Sequence, residues 1–310
     1  MKNEQYLKNL TVPLGVVDAV IDTDAFNEID DQFAIALMLL SGEKIRTKAI
    51  YAAPFINHKS ESPADGMEKS YDEIIKLLWL MNMGNMSSNV FKGSRQYLPD
   101  EKTPVKSPAS ENLAELAMKY RPENPLYVIS IGAITNVASA LLLRPEIAKN
   151  IVIVWLGGHS FEFGSCEEFN MYQDIPAARV VLSSDAPVVM LPCNGVVSSF
   201  TASGPELEKW LLGTTPIATY LANNAIKEAE QYAKGKPWTR AIWDVTAVGW
   251  LLNENDKYML SRICNVRLPK KDGKYESEPL NKKISYVYFI KRDILMCELF
   301  KKLCNENRQF

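Results

Sequence analysis

The sequence predicts an α/β fold: a mainly parallel central sheet flanked by helices, with a helical C-terminal layer and a late β-hairpin. Three observations lead there. Short apolar runs alternate with helix-length stretches up to about residue 205. Those runs are apolar on both faces, as in parallel strands covered on each side. Beyond residue 205 the chain reads as mostly helical.

In order, "GVVDAVI" (15–21) is a strand and "DDQFAIALMLLS" (30–41) a helix. "RTKAIYAA" (46–53) is again a strand, and "SYDEIIKLLWLMN" (70–82) has helical spacing. "PLYVISI" (125–131) is a strand, followed by the helix "TNVASALLLR" (135–144), which Pro145 closes. The strands "NIVIVWL" (150–156) and "APVVMLP" (186–192) bracket the helix "DIPAARVVLSS" (174–184), which carries Pro176 in its first turn. Two helices follow, at 216–234 and 243–253. "ICNVRL" (263–268) and "ISYVYFI" (284–290) flank a "KKDGK" turn, predicting the hairpin, and "DILMCELFKKLC" (293–304) is an amphipathic helix. Residues 1–310 are expected to form a single domain. Ligands of such sheets bind beyond the carboxyl ends of the strands.

Composition narrows the function. A net charge of −2 offers no global field for nucleic acid or an anionic membrane. The run "FAIALMLL" is far short of the roughly 20 residues that span a bilayer, and "MKNEQYLKNLTV" has no apolar signal core. A cytoplasmic protein with no nucleic-acid or membrane partner is expected. Five cysteines without a C-x-x-C pair predict reduced thiols, not a disulfide frame or a zinc site. Two histidines, His58 and His159, leave little for a histidine metal site or a Ser-His-Asp relay.

The chemistry concentrates in "VIDTDAFNEIDDQF", with Asp22, Asp24, Glu28, Asp30 and Asp31 wedged between apolar segments. Capping a helix accounts for Asp30 or Asp31. It leaves Asp22 and Asp24, which follow a strand directly and are expected to approach one point. Carboxylates converging at low dielectric must take up protons or bind a cation. All-oxygen ligation suits Ca²⁺ or Mg²⁺. An EF-hand is excluded, because its fifth, sixth and twelfth positions hold Phe26, Asn27 and Phe33. The strand-end D-x-D of haloacid-dehalogenase-like phosphohydrolases matches only "DTD". Their further acids lie far down the chain, whereas Asp30 and Asp31 follow closely.

At this point the sequence resembles the calcium-dependent nucleoside hydrolases (the inosine-uridine-preferring family), whose N-terminal signature is D-[TC]-D-x-G-x-D-D. Here Asp22-Thr23-Asp24 and Asp30-Asp31 frame a spacer two residues longer than the family's and without its glycine. "LYVISIGAITNVASAL" resembles the family's strand and G-x-L-T-N-x-A, and "VWLGGH" its M-G-G strand end. "EEFNMYQDIPAARVVL" resembles E-F-N-x-x-x-D-P-x-A-A, and "WDVTA" stands where H-D-P-x-A is common.

The resemblance implies a Rossmann-like nucleoside hydrolase fold and hydrolysis of a ribonucleoside's N-glycosidic bond by a calcium-activated water. It implies Ca²⁺ on Asp24, Asp31, Asp244 and the Ile131 carbonyl, with Asp24 also taking the water's proton. Asp30 and Asn170 would bind the 2′ and 3′ hydroxyls, Glu168 the 5′ hydroxyl, and Asn57 would lie near the sugar. Trp243 replaces the histidine that protonates the leaving base in many members, and would stack on a purine instead. His159 is an alternative acid. Homodimers or homotetramers are common in the family. Each residue also has a plain structural reading: Asp244 as a helix cap, Ile131 and Trp243 as core, Asn170 as a turn residue, Glu168 and His159 as solvated. A non-catalytic calcium- or sugar-binding protein and a Mg²⁺ phosphohydrolase stand as the alternatives.

Overall fold

The computed structural model describes residues 1–304. Its ten strands are β1 (Val17–Thr23), β2 (Ile45–Ala52), β3 (Val90–Lys92), β4 (Leu126–Ser130), β5 (Ile151–Leu156), β6 (Val188–Leu191), β7 (Thr201–Ser203), β8 (Thr239–Ala241), β9 (Met259–Asn265) and β10 (Lys283–Ile290). Eight of them form one sheet in the order β3-β2-β1-β4-β5-β6-β10-β9. Only the β9–β10 pairing is antiparallel in that sheet, while β7 and β8 make a separate antiparallel ribbon. The α/β architecture expected from the sequence is therefore present.

Side-chain alternation along β1 sorts the core into two layers. Val17, Ala19 and Ile21 face one cluster, which includes helices Asp30–Leu40, Pro63–Leu80, Val245–Leu251 and Arg292–Leu303. Val20 faces the other, which includes helices Pro108–Ala117, Thr135–Leu143 and Ile175–Ser183. The chain runs outward from β1 through β2 to β3, then returns to lay β4 against the other side of β1. Strand order thus reverses between β1 and β4, and a crevice opens at their carboxyl ends.

Several elements differ from the sequence-based expectation. The helix expected over 70–82 begins at Pro63, where the Ser62 side chain accepts the Asp65 N–H. Helix Pro108–Ala117, capped by Ser107, and the three-residue strands β3, β7 and β8 are additional. The late antiparallel pair exists, but β9 ends at Asn265 and "KKDGK" does not join the strands directly. It forms its own turn within the connection, closed by the Pro269–Tyr275 bridge. No described helix is long and apolar enough to cross a membrane.

Candidate active site

A cavity of about 310 Å³ lies at the carboxyl ends of β1, β4 and β5. Asp24, just past β1, reaches it together with Asp30 and Asp31, the first residues of helix Asp30–Leu40. Asp244 enters from the start of helix Val245–Leu251. Neither Asp30, Asp31 nor Asp244 makes a side-chain cap to its helix. Side-chain capping therefore accounts for none of the three, although Asp30 and Asp31 lie in the first turn, where the helix dipole favours them. The spacer needs no glycine, because none of its residues has a positive φ. At Gly132, beyond β4, a Cβ would sit 3.1 Å from Asp24 Oδ1, so a larger residue there would press on the acid.

Asp22 corrects the expectation of a single converging cluster. It belongs to β1 proper, and strand alternation turns it toward helix Thr135–Leu143. There Asn136 Nδ2 donates to its Oδ1 at 2.8 Å, and Ser130 Oγ donates to Oδ2 at 3.4 Å. Asp22 does not line the cavity.

The cavity acids have little to offset them. Asp24, Asp30, Asp31 and Asp244 are 0, 2, 1 and 3% exposed. Burial is the main force pushing all four carboxyls above the usual range, and repulsion by neighbouring acids adds to it. Asp31 is held to about 7, moderated by the Thr23 hydroxyl that donates to its Oδ1. No donor reaches either Asp24 oxygen or Asp30 Oδ1 among the described residues. Asp30, Asp31 and Asp244 each offer an oxygen within 4.8 Å of the others, a buried acidic triad able to hold a metal ion. Buried acids that approach this closely need protons or a cation between them. Unpartnered hard oxygens suit a hard divalent cation.

The opposite wall comes from the ends of β5 and β6. Asn170 uses both amide hydrogens on backbone, donating to the Ile131 carbonyl at 3.2 Å and the Leu156 carbonyl at 3.1 Å. Its own oxygen is left as the acceptor it can offer. Glu168 is no solvated acid: it is 6% exposed and caps helix Phe169–Gln173. Its oxygens accept from the N–H groups of Gly158 at 2.7 Å, Asn170 at 2.9 Å and Met171 at 3.0 Å. Burial still raises its pKa.

Trp243 is half-buried, packed on the core while lining the cavity. His159 also lines it and is held in place, against the sequence-based picture of a free loop histidine. The Asn194 N–H donates to His159 Nδ1 at 3.3 Å, and Tyr275 Oη donates to the His159 carbonyl at 2.8 Å. Burial lowers its pKa. Asn57 does not line the cavity; its Nδ2 donates to Oδ1 of Asn27, which does, at 2.6 Å.

Residues that sequence reasoning passed over include Asn136, Asn27, Cys193, Asn194 and Arg240. Asn136 stood within a recognised motif, which was a usable signal. Asn27 lies within the acidic run itself, and Cys193, Asn194 and Arg240 converge on the site only through tertiary contacts.

This arrangement can be set beside known proteins. The family model described as inosine-uridine preferring nucleoside hydrolase matches residues 19–280. The chain belongs to that family. It is an N-ribosylhydrolase by that membership. It is 27% identical over 280 residues to the pyrimidine-specific ribonucleoside hydrolase RihA of Salmonella paratyphi A, covering 83% of this chain and 85% of that one. A plant nucleoside hydrolase shares the fold with a TM-score of 0.74 at 18% identity, over 94% of this chain and 99% of that one. The purine-preferring ribonucleoside hydrolase from Gardnerella vaginalis gives 0.71 at 18% identity, over 93% and 98%.

Proposed function

We propose that this nucleoside hydrolase cleaves the N-glycosidic bond of an uncharged ribonucleoside with calcium bound, releasing free base and ribose. The observation that carries it is Asp24: wholly buried, both oxygens without a donor, in a cavity lined, among the described residues, by seven acidic residues and no lysine or arginine. Such a site favours a positive charge developing on a sugar. It repels a phosphate, which argues against the phosphohydrolase alternative.

By the family resemblance Asp24, Asp31, Asp244 and the Ile131 carbonyl would hold the ion; the acids whose oxygens lie within 4.8 Å of one another are Asp30, Asp31 and Asp244, with Asp24 lining the same cavity beside them. When bound, the ion supplies Lewis acidity and relieves the repulsion among these carboxylates. Asp24 takes the proton of the attacking water. Asp30, through its unpartnered oxygen, and Asn170, through its amide oxygen, accept hydrogen bonds from the 2′ and 3′ hydroxyls. Glu168 chiefly braces the strand-end loop, and the 5′ hydroxyl would compete with the Cys193 thiol for its remaining lone pair. Asn57 acts through Asn27. The Trp243 indole, free on its cavity side, stacks on the departing base, a wall suited to a purine.

A reducing-sugar assay over a panel of nucleosides, with and without a calcium chelator, tests this reading. Ribose release that the chelator abolishes and calcium restores is expected, with nucleoside 5′-phosphates left intact. Calcium binding without turnover of any nucleoside would instead favour a binding protein on this scaffold.

A further inference from the structure

The spacer between Asp24 and Asp30 is tied down along its length by residues from elsewhere in the fold. Gln32 Nε2 donates to the Ala25 carbonyl at 3.1 Å, and the Phe26 N–H donates to Ser70 Oγ at 3.3 Å. The Asn27 N–H closes a turn on the Asp24 carbonyl at 2.7 Å, while Lys59 Nζ donates to the Asn27 carbonyl at 2.8 Å. Glu28 is held by charge. Arg240 Nη2, on β8, donates to Glu28 Oε2 at 3.0 Å and lies 3.6 Å from Glu228, which also pairs with Lys59.

Arg240 does not line the cavity, but its segment does. Trp243 and Asp244 follow it within one turn of chain, and Glu28 precedes Asp30 by two residues. The pair therefore joins the two stretches that build the acidic half of the site, across 212 residues of sequence. The Arg240 side chain is 14% exposed and also attracts the Asp30 carboxylate, to which no cavity-lining cation is available among the described residues.

We propose that the Glu28–Arg240 ion pair is a latch that positions Asp30 against the hydroxyl edge of the sugar, which makes Arg240 a positioning residue for specificity. The inference rests on the ribonucleoside hydrolase reading. A weakened latch releases the Glu28 end of the spacer, next to Asp30, and withdraws the guanidinium charge from the Asp30 carboxylate, while the bonds at Ala25, Phe26 and Asn27 keep Asp24 in place. The loss then falls on sugar recognition more than on the chemical step.

The test compares a ribonucleoside with its 2′-deoxy counterpart in the native protein, Arg240→Met, Glu28→Gln, the double variant and Arg240→Lys. Arg240→Met should raise KM for the ribonucleoside about tenfold with kcat held within about threefold, and shrink the ribo-to-deoxy preference in kcat/KM about tenfold. Glu28→Gln should do the same, the double variant should be no worse than the worse single one, and Arg240→Lys should recover part of the preference. Calorimetric binding of free ribose should weaken in parallel. Melting temperatures screen out misfolding, and Glu28→Gln, at the cavity mouth, serves if Arg240→Met does not fold. Additive single effects, or an unchanged ribo-to-deoxy ratio in active variants, would overturn the latch alone. A native protein that cleaves neither nucleoside, or both equally, would overturn the hydroxyl reading and the latch with it.

Discussion

Asp22 and Asp24 stand two residues apart at the end of β1, and neither is exposed to solvent. Their surroundings differ completely. Asp22 faces Asn136 and Ser130, which donate to its two oxygens, so its hydrogen-bonding needs are met within the protein. Asp24 faces a cavity and receives no donor at either oxygen. A buried carboxylate without hydrogen bonds costs several kcal/mol, and folded proteins seldom leave one so. Of two acids this close in sequence, the satisfied one braces the sheet and the unsatisfied one turns two unpartnered oxygens into the cavity.

The sharpest way to break this contrast is to neutralise each acid in turn. Asp24→Asn should cost about a hundredfold or more in turnover, even at saturating calcium, because it removes the proton acceptor. Asp22→Asn keeps an oxygen for the Asn136 amide and should change turnover less than about tenfold. Initial rates on one ribonucleoside decide it. Comparable losses in the two variants would mean that the orphaned oxygens do not single out the catalytic acid.

A second measurement follows the charge through pH. Burial raises Asp22 and Asp31 from 3.8 to about 7. The metal-free folded chain thus retains protons that the unfolded chain has already released. Their stabilising contribution is complete below the unfolded-state pKa and is lost as pH rises through the folded-state value. Melting temperature in chelator should therefore fall from mildly acidic pH toward pH 8. Excess calcium should flatten the decline by stabilising only the folded state, and Asp31→Asn should lose most of that rescue. A chelator without effect on melting at pH 8, in both proteins, would exclude a shared metal site.

The smallest expected effect concerns the far wall. Trp243→Ala should slow a purine riboside several-fold while barely affecting a nitrophenyl riboside, whose leaving group needs no help. Equal slowing of both would make Trp243 a packing residue. Faster native turnover of uridine than of inosine would remove the stacking account and turn attention to His159, whose ring Asn194 holds at the cavity wall.

Much of the sheet was legible because buried parallel strands are apolar on both faces, as "VISI" and "IVIVWL" are. Strands of three residues, such as β3 and β8, carry too little periodicity to register. The acidic run identified the site, but local order could not tell Asp22 from Asp24. The distinction depends on where β1 stops alternating, and a boundary is the least certain feature of a strand. Glu168 was legible as a functional position and not as a buried cap: the Asn170 and Met171 N–H groups lie two and three residues on, but the Gly158 N–H reaches it only when the strand-end loop folds back. Arg240 gave no sequence signal at all. Its nearest telling acid in the chain, Asp244, reads as a ligand and not as its partner, and Glu28 is brought alongside it only by the fold.

That distance has a consequence in time. The Glu28–Arg240 pair closes a 212-residue span, and Asp244 lies still further along the chain. Closing so long a loop is entropically costly, so long-range contacts of this kind form late. During synthesis the acidic run emerges early and waits, unneutralised, for the segment that completes its surroundings. If calcium is the ion this site takes, it is expected to seal a nearly finished molecule rather than template the early sheet. In refolding experiments, added calcium should leave the formation of β1, β2 and β4 unhurried and change only the final phase and the rate of unfolding. Acceleration of the earliest phase by calcium would show that the ion gathers its ligands sooner than the topology implies.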